Sequence, residues 1–359
     1  MPVKDGFVTV NVGGQSMKLL LDTGGFDLTV IDGGWYENQY GKGACAKSES
    51  GCYFCPAEAP CDFDNDPSTL VTILEDGRAI RTITRSATVA LNGKVIRDFP
   101  FKVSVPESWN KTEPFHGFFG IADTPPKVAF ESALKFLVRH YIVGRQSYTL
   151  RTNVQQSTQF ITGELTLGDK VEKNKDSKYM FAEWHTDPDH HYAFPTISLS
   201  TTVLQNEPQS VGKSKGLRLG HSKPRLMSLV TGANGIYLPY KSILDRIETK
   251  IRRTMKKKLG YSEDKIGKMC YLGGDGFIHV KKEAYDSLPV LNLQLEGGKE
   301  SKQIRIHPKH YTGDTGGEDV IIYINHFGKD QNMLGTPFFR AYTVHVDYTD
   351  NTIALLENP

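Results

Sequence analysis

Leu19-Leu20-Leu21-Asp22-Thr23-Gly24 is the stretch whose reading decides the fold: a carboxylate at the end of an apolar strand, followed at once by a small turn. Burying such a carboxylate costs several kcal/mol unless its oxygens accept hydrogen bonds. Asp22 is therefore expected either to do chemistry or to cap a tightly satisfied turn.

An approximate internal repeat extends outward from this point. Leu21-Asp22-Thr23-Gly24 is followed 98 residues later by Phe118-Phe119-Gly120, counting from Asp22 to Gly120. Leu229-Val230-Thr231-Gly232 is followed by Met333-Leu334-Gly335, with 105 residues from Val230 to Gly335. Both halves read apolar, X, Thr-Gly, then apolar, apolar, Gly. Asp314-Thr315-Gly316-Gly317 duplicates Asp22–Gly25 letter for letter, yet His310–Gly313 before it is no apolar strand and Gly335 lies only 21 residues beyond. That copy is read as a loop turn.

Between these motifs the chain alternates short β-type runs with glycine-marked turns. Phe7–Val12 and Met17–Leu21 flank Gly13-Gly14; Leu70–Leu74 and Ala79–Ile83 flank Asp76-Gly77; Ala87–Leu91 meets Asn92-Gly93 before Val95-Ile96. Two helical patterns stand out, Val128–Val138 and Tyr240–Leu259, the second with Ile243, Leu244, Ile247 and Ile251 inward. Gln205–Lys223 is polar enough to read as a long surface loop.

Composition narrows the function classes. With 359 residues the chain can bury two cores. Its 43 basic and 41 acidic residues leave a net charge of +2, so no global field favours nucleic acid. No apolar run reaches the ~20 residues of a membrane span, and Met1–Gly6 does not read as a signal peptide.

Four of the five cysteines, Cys45, Cys52, Cys55 and Cys61, crowd one loop, while Cys270 stands alone. Two local disulfides are expected there, in any of three connectivities; free thiols and a four-thiolate zinc site are the alternatives. Asn110-Lys111-Thr112 is a glycosylation sequon. Together these features point to a secreted protein or the lumen of the secretory pathway. His185, His190 and His191 read as a solvated loop rather than a metal site. Arg252, Arg253, Lys256, Lys257 and Lys258 form a basic helix end, which the helix dipole favours.

The motifs, their order and Thr162–Gly168, Asp286–Leu293 and Gly335–Asp347 together resemble pepsin-like aspartic proteases over nearly the whole chain. The resemblance implies a mostly β, bilobal fold of two pseudo-symmetric lobes, 1–168 and 169–359, with a cleft between them for an extended peptide or protein. It implies no cofactor, no metal, no nucleic-acid or membrane partner, and a monomer. It places Asp22 at the first catalytic position and Val230 at the second. Gly24, Gly232 and Ala233, with Leu74, Glu75, Asp76 and Gly77 of the flap hairpin, fall at peptide-binding positions.

Catalysis in this family needs two carboxylates sharing a proton across a water; valine can neither transfer a proton nor hold the water. Other departures concern the same machinery. Gly25 replaces the usual Ser, Ala233 the usual Ser or Thr, and Thr29 a Trp. The flap carries no Tyr, and Cys270 has no partner cysteine near Lys282. The sequence thus predicts an inactive or severely impaired homologue that binds peptide. An active endopeptidase using Asp22 with an unusual partner group, and an interaction protein working outside the cleft, are the alternatives.

Overall fold

A computed structural model of the chain describes residues 1–73, 77–107, 115–124, 128–153, 160–174, 177–185, 194–205, 217–239, 242–296, 302–326 and 332–359, with the backbone alone over 217–223. The chain divides into two compact units, Met1–Gln146 and Ser147–Pro359.

The first unit contains β1 (Pro2–Val3), β2 (Phe7–Val12), β3 (Gln15–Asp22), β4 (Leu28–Ile31), β5 (Leu70–Ile73), β6 (Ala79–Leu91), β7 (Lys94–Pro106) and β8 (Phe118–Gly120). Its helices are α1 (Gly33–Tyr40), α2 (Ala44–Lys47) and α3 (Ala133–Arg139). Seven strands form one sheet in the order β2-β3-β8-β4-β7-β6-β5, and β2 also pairs with β6. Alternation sets the faces: Val8, Val10 and Val12 of β2 and Met17, Leu19 and Leu21 of β3 are buried, as are Phe99, Phe101 and Val103 of β7 and Phe119 of β8. All three expected hairpins form. Asn92 and Gly93 both take positive φ, 48° and 79°, as the tight turn between β6 and β7 requires.

The helical reading of 128–138 is too long at its start. α3 begins at Ala133 because the Ser132 side chain accepts from the Lys135 amide at 3.2 Å and caps it. The cysteine-rich loop holds Cys45–Cys52 and Cys55–Cys61 disulfides, the two local bridges expected there. Cys270 is free and buried.

The second unit begins with β9 (Ser147–Thr152), β10 (Gly163–Leu167), β11 (Met180–Glu183), β12 (Thr196–Gln205), β13 (Leu217–Leu229) and β14 (Ile236–Tyr237). Then come α4 (Ile243–Thr254), a π turn over Met255–Leu259, α5 (Glu263–Met269), β15 (Cys270–Leu272), β16 (Ile278–Lys281), β17 (Val290–Leu295) and β18 (Gln303–Ile306). It ends with α6 (Pro308–Tyr311), β19 (Thr312–Asp314), β20 (Asp319–Ile322), β21 (Ile324–Asn325), β22 (Met333–Leu334), α7 (Thr336–Ala341), β23 (Tyr342–Asp347) and β24 (Thr352–Glu357). One sheet runs β18-β17-β12-β13-β22-β14-β21, a second β15-β16-β20-β19, and a third carries β10, β9, β23, β24 and β11 side by side. β9 and β10, which the sequence-based division at 168/169 counts with the first lobe, therefore lie beside β23 in this unit.

The surface-loop reading of 205–223 needs correction. β13 starts at Leu217 and pairs antiparallel with β12, Thr202 opposite Leu219. Its first residues alternate Leu217, Arg218, Leu219, a period-two signal too short to outweigh the polar residues around it. Residues 206–216 lie outside the described chain.

The internal repeat is built into both units. β3 pairs parallel with β8, β8 antiparallel with β4, and β4 parallel with β7. β13 pairs parallel with β22, β22 antiparallel with β14, and β14 parallel with β21. Each unit thus carries the same four-strand arrangement around its Thr-Gly turn.

Candidate functional site at the two Thr-Gly loops

In the first unit Asp22 ends β3 opposite Gly120 of β8. Its Oδ1 accepts from the Gly24 amide at 2.8 Å, which closes an Asx-type turn over the buried Thr23. A Cβ on Gly25 would stand 3.0 Å from Asp22 Oδ2, so the carboxylate leans into the space that a side chain at position 25 would take. The loop is held from behind by backbone bonds: Leu20 N to Gly117 O, Gly120 N to Asp27 O and Ala122 N to Gly25 O, at 2.9, 2.8 and 2.8 Å.

The second unit repeats this scaffold. Ser228 N donates to Asn332 O at 3.0 Å, Gly335 N to Gly235 O at 3.0 Å, and Thr336 N to Ala233 O at 2.8 Å. Leu229 pairs with Leu334 as Leu21 pairs with Phe119, so Val230 stands in its own unit where Asp22 stands in the first. The two glycines behind the turns are sterically obligatory. A Cβ on Gly120 would meet the Gly25 carbonyl carbon at 2.5 Å, and one on Gly335 the Ala233 and Gly235 oxygens at 2.3 Å.

The side chains around the turns differ. Val230 has no polar atom to offer the turn, which closes instead through Ala233 N donating to Val230 O at 3.2 Å. Thr231 is buried like Thr23, Gly232 is exposed and Ala233 half-buried. Beside them Tyr237 donates its hydroxyl to Asn234 Oδ1 at 2.7 Å, and burial raises the Tyr237 phenol above its ordinary value.

Sequence reasoning missed a cluster next to Asp22. Thr29, expected only as a lost Trp, is buried and donates to Asp27 Oδ1 at 3.1 Å. Asp27 is ion-paired with Lys102, whose ammonium lies 5.3 Å and 5.1 Å from the ring centres of Phe26 and Phe130. Cations over ring faces are attracted by the ring quadrupole. No local signal joins Lys102 to Asp27, because the register of β4 on β7 brings them together.

Of the flap residues, Gly77 is described, with φ +86° and open space around it. Leu74, Glu75 and Asp76 lie outside the described residues, as do the Asn110–Thr112 sequon, His190 and His191. The strand leading into the flap, β5, exposes Leu70, Val71 and Ile73.

The duplicate motif is a turn, as its context predicts. Asp314 ends β19 in a hairpin with β20, accepts from Gly316 N at 2.8 Å and pairs with Lys282 at 2.9 Å. The Lys282 hydrogen bond holds its carboxyl below the ordinary value. Asp32, another buried carboxylate, is structural: it caps α1 by accepting from Trp35 N at 2.6 Å.

A cavity of about 860 Å³ in the second unit is lined by Lys258, Tyr285, His307, Lys309, His310 and Glu357 among others, and shares no residue with either Thr-Gly loop. Its volume alone gives it no chemistry, whereas the loops carry a carboxylate in a preformed turn. No helix is long and apolar enough to cross a membrane among the described residues.

No curated protein matches the chain in a sequence comparison. The family model for eukaryotic aspartyl proteases matches residues 6–357, nearly the whole length. The repeated strand arrangement, the Asp-Thr-Gly turn and this match lead to one conclusion: the chain belongs to the pepsin-like, eukaryotic aspartyl protease family.

Proposed function

We propose that this chain is a pseudoprotease: a pepsin-like protein that binds peptide or protein ligands without hydrolysing them. The observation that carries this reading is the register at Val230. Leu229 pairs with Leu334 as Leu21 pairs with Phe119, and this shared register supports reading Val230 as the counterpart of Asp22, a hydrocarbon in place of a carboxylate. Asp22 keeps its turn and its Gly24 hydrogen bond. A valine side chain has no acidic group to donate to the scissile carbonyl while a carboxylate takes the proton from water. Losing one positioned acid or base costs ~10²–10⁴ in rate, and the proton sharing that poises such a pair disappears with it.

Retention of the scaffold supports the binding half of the proposal. Gly120 and Gly335 still pack against their loop backbones, and Gly24, Gly232 and Ala233 still form the turns. An extended peptide recognised through main-chain hydrogen bonds needs this backbone more than it needs the acid–base pair. Leu74–Gly77 of the flap are assigned to the same role by the family pattern. Secretion fits the two disulfides, which persist in oxidising compartments.

Cleavage of an unfolded protein substrate between about pH 3 and 7, for the chain as given and for Val230→Asp, tests both halves. The expected result is no turnover in the parent and measurable turnover in Val230→Asp. Parent turnover blocked by a pepstatin-type inhibitor would mean an intact enzyme and overturn the proposal. Silence in both, with no peptide bound by the parent, would remove the ligand-binding half.

A further inference from the structure

Between Arg246 and Lys258 the chain carries seven cations and one carboxylate, although the whole protein is nearly neutral. α4 buries Ile243, Ile247, Ile251 and Thr254, and Met255 follows in the π turn. Arg246, Lys250 and Arg253 recur at intervals of four and three residues, so they line one face of α4 beside the buried one, and Lys257 and Lys258 follow in the π turn. At 1.5 Å per residue the α-helical part of this stripe, Arg246 to Arg253, is about 10 Å long.

The flanking cations are neutralised and the stripe is not. Arg252 pairs with Glu248 at 2.7 Å and donates to Cys270 O at 2.9 Å; Lys256 pairs with Glu263 at 2.6 Å. Among the described residues, Arg246, Lys250, Arg253, Lys257 and Lys258 form no ion pair, and Arg246 bonds only the Ser242 hydroxyl, at 3.0 Å. The like charges feel one another: burial, then Arg253, Lys257 and Lys258, lower the Lys250 ammonium from its ordinary value.

The helix dipole accounts for cations in the last turn. It does not account for Arg246 in the first turn of α4 or Lys250 in its middle, where a cation gains nothing from the C-terminal carbonyls. Three such charges in a line on a rigid, core-packed helix, followed by two in the π turn, fit a linear polyanion.

We infer that the Arg246–Lys250–Arg253 face of α4, extended by Lys257 and Lys258 of the π turn, binds a linear sulfated polysaccharide. Three observations select this partner among polyanions. No aromatic ring lies among the cations from Arg246 to Lys258, as a base-stacking surface for single-stranded nucleic acid would need. The apolar face of α4 is buried in the protein, so it offers no wedge to a lipid surface. The two disulfides fit an oxidising, extracellular-type compartment, where sulfated polysaccharides are met.

The test uses the whole protein, immobilised heparin as the probe, and two charge-matched double variants. Arg246→Gln/Arg253→Gln removes two stripe cations; Arg252→Gln/Lys256→Gln removes two paired cations from the same segment. The parent is expected to bind heparin with a salt dependence set by counterion release, and the stripe variant to elute at lower salt, its log–log salt slope reduced by about one per cation removed. The paired-cation variant is expected to elute close to the parent. Equal losses in the two variants, or no retention of the parent at low salt, would overturn the inference. So would tighter binding to single-stranded DNA or to anionic phospholipid vesicles than to heparin. Far-ultraviolet circular dichroism and thermal melts of both variants separate lost binding from lost folding.

Discussion

The Val230 amide donates to the Leu334 carbonyl across 3.2 Å, and this bond holds the end of β13 in register with β22. The same register in the first unit sets Asp22 opposite Gly120. The turn in the second unit is therefore kept in shape by backbone, while the first is closed by a carboxylate. Asp22 has work to do as a turn acceptor whether or not it does chemistry.

Asp22→Ala should consequently destabilise the protein by about 1–3 kcal/mol, because the Gly24 N–H loses its acceptor in a half-buried turn. Asp22→Asn keeps the oxygen and should cost less than about 1 kcal/mol. Urea unfolding of the three proteins measures the difference, and equal midpoints for parent and Asp22→Ala would show that the bond contributes nothing net.

Gly120→Ala and Gly335→Ala should each cost about 1–3 kcal/mol or more, since the new methyl meets backbone atoms at 2.5 and 2.3 Å that no rotamer change can clear. Gly144→Ala provides the control. Its Cβ meets nothing within 4 Å, so reduced unfolded-state freedom should leave it neutral or more stable by about 0.4–1 kcal/mol. Denaturant midpoints for the three variants check the ranking.

Stability should also fall with acid through His310. Burial, reinforced by the charges of Lys309, Arg340 and His307, drops this imidazole from 6.5 to about 3. The folded state holds it neutral while the unfolded chain takes up a proton below pH 6.5, so its stabilising contribution is complete above that pH. It is lost as pH falls from 6.5 towards about 3, with a slope of at most ~1.4 kcal/mol per unit from this group. Urea unfolding at several pH values for the parent and His310→Gln should show a flatter dependence in the variant.

The cysteines should separate cleanly by reactivity. Burial pushes the Cys270 thiol up to about 12, so alkylation of the native protein should leave it unmodified, and denaturation should release one reactive thiol. Peptide mapping without reduction should recover Cys45–Cys52 and Cys55–Cys61. Replacing Cys45 and Cys52 together by Ser should cost about 2–3 kcal/mol, the closure entropy of a short loop.

Much of the fold was legible locally because local chemistry dictates it. Asn92-Gly93 and Gly13-Gly14 provide the positive φ angles that tight hairpins demand, so β6–β7 and β2–β3 could be read from a few letters. Asp22 could be singled out because a carboxylate ending an apolar strand is costly without a purpose. β13 was less visible: Leu217–Leu229 forms a strand through its ladder with β12, and its first residues carry only a brief alternation. The start of α3 is set by the Ser132 cap rather than by the apolar spacing from Val128, because a side chain that accepts from the Lys135 amide ends the extended backbone there.

The sequence by itself determined the two Thr-Gly turns, the glycines behind them and the family, because these rest on residue type and order along the chain. Tertiary structure alone decided which cysteines join, that Lys102 sits between Phe26 and Phe130 against Asp27, and that Arg252 and Lys256 are neutralised while Arg246 and Arg253 have no ion pair among the described residues. Each of these depends on where chain segments finally lie. Strand register and helix packing set those positions, and a pair distant in sequence leaves no periodic trace of meeting in either partner's neighbourhood.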